Sequence, residues 1–226
     1  MRQYQALEEL EKNIEYSFQK RTLLEQALTH RSAKGQHNER LEFLGDSILG
    51  FVTAAKLYDL FPQGDEGQLT RLRAKLVKEK TLAEIANELC LGDLLALGSG
   101  ELKSGGFRRA SILSDAFEAI LGAVYLDGGL QSAEKVVHKL YENRYQSLSL
   151  TMAEKDPKTR LQEWLQSRNQ ELPQYEIVRS EGKDHNRTYW VSCKINQPKL
   201  ETEGQGTSRR KAEQAAADKM MEQLSA

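Results

Sequence analysis

The chain has 226 residues, 39% of them hydrophobic, enough for one large domain or two small ones with cores of their own. Its formal charge is −1, from 32 Lys and Arg against 33 Asp and Glu, which excludes a generic polycation and leaves any polyanionic partner to local basic clusters. The polar stretch from Met1 to Lys12 lacks the apolar centre of a signal peptide and no run is long enough to span a bilayer, so a cytoplasmic protein with no membrane partner is expected.

Up to about residue 146 apolar residues recur at spacings of three and four. The pattern predicts helices over 4–14, 23–30, 40–60, 67–89, 111–126 and 130–145, with turns at 61–64, 98–106 and 127–129 and no strand. Residues 147–157 lose this periodicity and end in Asp156-Pro157, which reads as a short mobile linker. Beyond it the character changes. A short amphipathic helix over 158–166 stops before Pro173, and strands follow over 175–181 and 188–195, with Tyr189, Val191, Cys193 and Ile195 on one face. A third strand is expected over 200–203 and an alanine-rich helix over 208–224. The predicted organisation is an all-α domain (1–147), a linker (148–157) and a small α+β domain of order α-β-β-β-α (158–226). Cys90 and Cys193 fall in different domains, which argues against a structural disulfide and fits a reducing compartment.

The decapeptide Asn38-Glu-Arg-Leu-Glu-Phe-Leu-Gly-Asp-Ser47 places Glu39, Glu42 and Asp46 at spacings of three and four, hence on one face of a helix. By itself such spacing is more often a solvated acidic face. Here Phe43, Leu44, Ile48, Leu49 and Phe51 suit a buried helix, and an uncompensated carboxylate is costly to bury. A second pair, Asp115 and Glu118, sits three apart on a helix whose Ile112, Leu113, Phe117, Ile120, Leu121 and Val124 leave little room for a solvated face. Two apolar helices carrying inward acids can converge into an all-oxygen cluster, the donor set that hard divalent ions such as Mg²⁺ prefer, and the absence of His or Cys argues against zinc.

Near the C-terminus, Ser208 or Thr207 can cap a helix whose first turn carries Arg209, Arg210 and Lys211. Cations there oppose the helix dipole, so helix stability does not explain them, whereas a bound phosphate does. A further basic set, Arg71, Arg73, Lys75, Lys78 and Lys80, lies in the first domain.

The decapeptide at 38–47 resembles the ribonuclease III signature, and the segment 100–118 resembles the second conserved block of that family. The resemblance runs from about residue 5 to residue 224. It implies that Glu42, Asp46, Asp115 and Glu118 are metal-binding carboxylates, with Asp46 and Glu118 closest to catalysis. Glu39 and Glu66 match two further acidic positions that the family associates with the substrate and the catalytic valley. The α-β-β-β-α order resembles the double-stranded RNA-binding domain, which reads A-form RNA across the minor groove and through phosphates. That likeness assigns Thr159, Gln162, Glu163 and Gln166 to 2′-hydroxyls and His185 to a second minor groove. Where the family often has a third basic residue this chain has Glu213, leaving Arg209, Arg210 and Lys211 as phosphate contacts. Lys103, Arg108 and Arg109 flank Ser104-Gly-Gly106 and read equally as phosphate contacts or as a solvated basic loop. Trp164 and Trp190 are not assigned to RNA; Trp164, at helical spacing with Leu161 and Leu165, reads as core.

The expected activity is therefore Mg²⁺-dependent hydrolysis of double-stranded RNA, with Mn²⁺ able to substitute, one or two ions per cleavage and no organic cofactor. The family likeness implies 5′-phosphate and 3′-hydroxyl ends, roles in processing ribosomal and other structured transcripts, and a homodimer that cuts both strands. The rival, a non-catalytic double-stranded RNA-binding regulator, would have lost Asp46, Asp115 or Glu118, and all three are present.

Overall fold

In the computed structural model, residues 2–153, 155–183 and 187–225 are described, with side chains from residue 5 to residue 224 within those spans. The chain forms two compact units, Met1–Ala153 and Glu154–Ala226. Among the described residues no helix is long and apolar enough to cross a membrane.

The first unit is helical: α1 (Arg2–Asn13), α2 (Arg21–Ala27), α3 (Glu39–Leu60), α4 (Glu66–Val77), α5 (Glu79–Glu88), α6 (Ser99–Lys103) and α7 (Ala110–Gln146). Helix α7 is the centre. Its Leu113, Phe117, Ile120, Leu121 and Val124 are buried against α3, which contributes Leu41, Leu49, Val52 and Leu57. The two helices approach so closely that Gly45 and Gly122 sit at their contact: a Cβ on Gly45 would overlap the Glu118 carbonyl oxygen, and one on Gly122 the Leu41 carbonyl oxygen. Any side chain there separates the helices. Gly45→Ala should therefore lower the melting temperature and cut activity together, while Gly50→Ala, with open space around its position, should leave both near the parent value. Equal melting temperatures for the two variants would refute this packing.

Several boundaries differ from the sequence expectation. The helix expected over 67–89 is two helices, because Lys78 is extended (φ −70°, ψ 148°). Apolar periodicity runs through the break since α4 and α5 face the same core. The turn at 98–106 contains α6 and leads into a single 3-10 turn, Gly106–Arg108. The break expected at 127–129 is a kink inside α7, where Gly129 has φ 77°, a conformation glycine adopts at little cost. Asp127 fastens the helix beside this kink by accepting hydrogen bonds from Tyr16 Oη, Gln19 N and Lys20 N at 2.8, 2.7 and 2.9 Å.

The first unit runs to Ala153, past the expected boundary at 147, and the start of the expected mobile linker is docked on it. A 3-10 turn over Leu150–Ala153 buries Ala153 and packs Leu148 and Leu150 on the core. Arg71 Nε donates to the Ala153 carbonyl at 2.5 Å, and Lys75 Nζ donates to the Met152 carbonyl.

The second unit comprises α8 (Pro157–Gln166), β1 (Gln174–Glu181), β2 (Thr188–Asn196), β3 (Lys199–Gly206) and α9 (Arg209–Ser225), with an antiparallel sheet in the order β1-β2-β3. Both helices cover one sheet face, and Leu161, Leu165, Cys193, Ile195, Ala216, Ala217 and Met220 form the core. Strand β3 is longer than the expected 200–203. Its Gly204 and Gly206 let α9 lie against the strand: a Cβ on either would overlap α9 backbone atoms. Trp164 packs on the core, with the Arg168 guanidinium 3.9 Å over its ring. Cys90 and Cys193 are free thiols.

Candidate functional site

The Gly45–Gly122 crossing brings the acidic faces of α3 and α7 together. Glu42, Asp115 and Glu118 each offer a carboxylate oxygen, and the three atoms lie within 4.8 Å of one another. Helix α3 is held at its start by buried Asn38, whose Nδ2 donates to the Ala27 carbonyl at 3.2 Å and whose own carbonyl accepts Glu42 N at 2.9 Å.

Gathering these carboxylates has an electrostatic consequence. Burial, then the charges of Asp46, Asp115 and Glu42, push the Glu118 carboxyl up to about 8. Burial and its acidic neighbours likewise raise Glu42. Asp115 is raised by burial, against the opposing Ser114 hydrogen bond and the electrostatic influence of His30 and Arg31. An all-oxygen set carrying this much repulsion fits a hard divalent cation, which would relieve the repulsion and take the carboxylates as ligands.

The same repulsion sets a pH dependence. A carboxyl raised from its ordinary 4.5 to about 8 keeps its proton in the folded chain after the unfolded chain has lost it. The folded state then binds more protons between those values. In a chelator, stability should fall as pH rises from about 4.5 to 8, and Glu118→Gln should flatten much of that decline. Melting curves of the parent and the variant across this range test it, and parallel slopes would count against it.

Asp46 stands outside the group of three and is exposed, yet its charge bears on Glu118 and Glu42. Glu39 is exposed beside the cluster, with Arg31 Nη1 3.3 Å from its Oε1. Glu66 is not brought to it: it lies at the start of α4, where its carboxylate accepts a hydrogen bond from Thr70 Oγ1 at 3.0 Å, and it lines a different pocket with Tyr58, Leu69 and Arg73.

A cleft of ≈ 560 Å³ opens over the carboxylates, lined among others by His30, Arg31, Glu39, Glu42, Arg109 and Asp115. Of the loop cations only Arg109 lines it, held by Glu101 at 2.7 Å. Lys103 is exposed, and Arg108 lies 4.9 Å over the Phe107 ring. His30, Asn38 and Glu101 were not singled out by sequence. Asn38 opens the 38–47 decapeptide and Glu101 lies in the 100–118 segment, whereas His30 lies outside both.

The apolar residues of the decapeptide helix suit burial in sequence, yet Phe43, Leu44 and Phe51 together exceed what one core-facing side needs, which leaves a surplus for an interface. Leu44, Ile48 and Leu49 face inward, whereas Phe43 is 77% exposed and Phe51 59%. Tyr58, at 72%, continues that stripe along α3. Residues seven or eight apart share a helix face, so the core-facing stripe is satisfied by other positions.

In the second unit Thr159, Gln162, Glu163 and Gln166 are all exposed on α8, with Glu163 paired to Lys155. Ser208 caps α9, its Oγ accepting Lys211 N at 3.3 Å. Arg210 and Lys211 are exposed, while Arg209 Nε lies 2.9 Å from Glu213 Oε1. Glu213 itself is buried and also paired to Lys158; hydrogen bonds from Lys158 and Arg209 outweigh its burial and hold its carboxyl below the usual range. Instead of a third phosphate contact, this position supplies a brace. His185 lies outside the described residues.

Comparison with known proteins gives two family matches, Ribonuclease-III-like over residues 20–145 and Double-stranded RNA binding motif over residues 157–224. The chain is 54% identical to Ribonuclease 3 of Psychromonas ingrahamii over 219 residues, covering 97% of this chain and 96% of the relative. It is 55% identical to Ribonuclease 3 of Pseudomonas syringae pv. syringae over 212 residues, 94% and 93% of the two chains. The crystal structure of the nuclease domain of ribonuclease III from Campylobacter jejuni is 44% identical with a TM-score of 0.60, covering 63% of this chain and 97% of that one. A second structure of that domain, reporting structural flexibility in a region involved in its dimer formation, is 45% identical with a TM-score of 0.60, covering 62% and 99%.

Proposed function

This chain belongs to the ribonuclease III family of endoribonucleases, and from that premise we propose that it cleaves double-stranded RNA in a Mg²⁺-dependent reaction leaving 5′-phosphate and 3′-hydroxyl ends. The observation that carries the reading is the oxygen-only group of Glu42, Asp115 and Glu118, the first two of which line a cleft. These three side chains would hold the ion, with Mn²⁺ able to replace it, and Asp46 would add a fourth carboxylate from the exposed side. A bound divalent ion supplies Lewis acidity for activating water and compensating charge on the phosphate. The protein's own contribution is to keep the acids gathered through the α3–α7 crossing, with Arg109 and Arg31 on the cleft wall where a phosphate's charge is met. Glu39 and Glu66 are assigned to substrate contact and to the wider catalytic valley.

In the second unit, Arg209, Arg210 and Lys211 at the start of α9 would take phosphates, and the α8 face with His185 would contact minor grooves. Lys103 and Arg108 would add phosphate contacts beside the cleft. The catalytic unit and the RNA-binding unit follow one another along the chain, and structured transcripts such as ribosomal RNA precursors in the cytoplasm are the proposed substrates.

Two antiparallel strands need two cuts, and one chain supplies one cluster. We assign the exposed stripe of Phe43, Phe51 and Tyr58 to a two-fold homodimer that provides the second. Phe43→Glu should convert a species of about twice the monomer mass into a monomer in sedimentation, with double-strand cleavage lost. An active monomeric variant would defeat the assignment.

The reading as a whole is tested on a perfect RNA duplex incubated first in chelator and then with Mg²⁺. Cleavage should await the metal, and the fragments should ligate through their 5′ ends without kinase treatment. Intact duplex, or 5′-hydroxyl ends, would overturn it.

A further inference from the structure

The cleft contains one imidazole, that of His30, and the mechanism above leaves it unused. Its setting is built. Ser32 N donates to His30 Nδ1 at 3.2 Å, and Ser32 Oγ lies 2.8 Å from the same nitrogen. Ser32 Oγ in turn accepts Gly98 N at 2.9 Å. The segment behind it is also fixed, with His30 N donating to the Ala96 carbonyl at 3.0 Å and Ala96 N to the Leu28 carbonyl at 2.8 Å. A Cβ on Gly98 would overlap the Ser32 carbonyl oxygen, so this loop closes against the His30 turn without slack.

The chain of donors fixes the tautomer. A nitrogen that accepts the Ser32 N–H carries no hydrogen, so the Ser32 hydroxyl donates to it as well, and the neutral ring bears its hydrogen on Nε2. With Nδ1 engaged by Ser32, Nε2 is the nitrogen left for the cleft, which Asp115 also lines.

We propose that His30 is a further substrate-binding residue of this nuclease, donating a hydrogen bond from Nε2 to an oxygen of the phosphate seated over the carboxylates. The inference rests on the endoribonuclease reading above. Among the cleft residues His30 offers a donor that Ser32 orients before substrate arrives, a form of preorganisation that strengthens binding of charge developing in the transition state. Ser32 is a positioning residue acting through His30.

The test separates the two ring nitrogens. Glutamine places its amide nitrogen near the position of Nε2, whereas asparagine places its own near Nδ1. Single-turnover cleavage of a duplex in saturating Mg²⁺ should fall by about 10²-fold in His30→Asn and by less than about tenfold in His30→Gln, on the scale of removing one oriented donor. Duplex affinity in Ca²⁺ and the melting temperature should stay close to the parent in both. Asparagine outperforming glutamine would place the role of His30 in the loop, and equal rates for parent and both variants would remove it from the site; either result overturns the proposal. A parent enzyme that leaves the duplex intact defeats instead the endoribonuclease reading on which the proposal stands.

Discussion

Replacing Glu118 by Gln should abolish cleavage, by about 10³-fold or more, while duplex binding in Ca²⁺ changes less than about twofold. Glu118 is the most strongly perturbed acid in the cluster, and its environment already resists its charge. Glutamine keeps the shape and removes the charge a cation would answer. The cations assigned to duplex binding, Arg209, Arg210 and Lys211, belong to the other unit and are untouched. The variant should also be more stable than the parent in chelator, because a carboxyl held against repulsion has been neutralised. This separates a dead enzyme from an unfolded one. Asp115→Asn and Asp46→Asn should follow the same direction, whereas Glu39→Gln should be milder, since Glu39 is exposed and engaged by Arg31. Residual Glu118→Gln activity within tenfold of the parent would remove this residue from the centre of the chemistry.

The carboxylates were legible because their spacing and their neighbours act together. Spacing of three and four aligns Glu39, Glu42 and Asp46, and the apolar run around Asp115 and Glu118 turns that second pair inward. What the pattern did not contain is how two helices cross. Gly45 and Gly122 decide that, and they give no periodic signal. Likewise the hydrophobic character of Phe43 and Phe51 is visible in sequence, but the side of α3 they occupy depends on which residues satisfy the core first. The break at Lys78 was hidden because helices on either side bury the same face of the unit. In the second unit, β3 extends past Glu203 because Gly204 and Gly206 leave room for α9 to lie on the strand, a contact that no periodicity signals. Glu213 read as a departure from a basic position and is a buried brace for Lys158 and Arg209. His30 had no motif to announce it. Its backbone partner Ala96, and Gly98, which bonds its neighbour Ser32, lie far along the chain, so its orientation arises only from tertiary structure.

A chain ending at Ala153 should remain a folded, catalytically competent unit whose activity is confined to low salt or high enzyme concentration. The cut belongs after Ala153, because the turn at Leu150–Ala153 packs on the first unit and its carbonyls engage Arg71 and Lys75. A cut at 147 would expose the surface that Leu148 and Leu150 cover. What the shortened chain loses is the phosphate-binding turn of α9. If Arg209, Arg210 and Lys211 each neutralise one phosphate, the duplex-DNA coefficient gives a salt slope of about −3, or on the order of a 40-fold fall in affinity between 50 and 200 mM. The full chain should therefore show the steeper salt dependence in direct binding, and Arg210→Ala should reduce its slope by about one. Arg209→Ala should do more than remove a charge, since it also releases one arm of the Glu213 brace. Cleavage by the shortened chain at physiological salt equal to that of the full chain would show that the second unit does not anchor the substrate, and the role of its basic turn would have to be sought elsewhere.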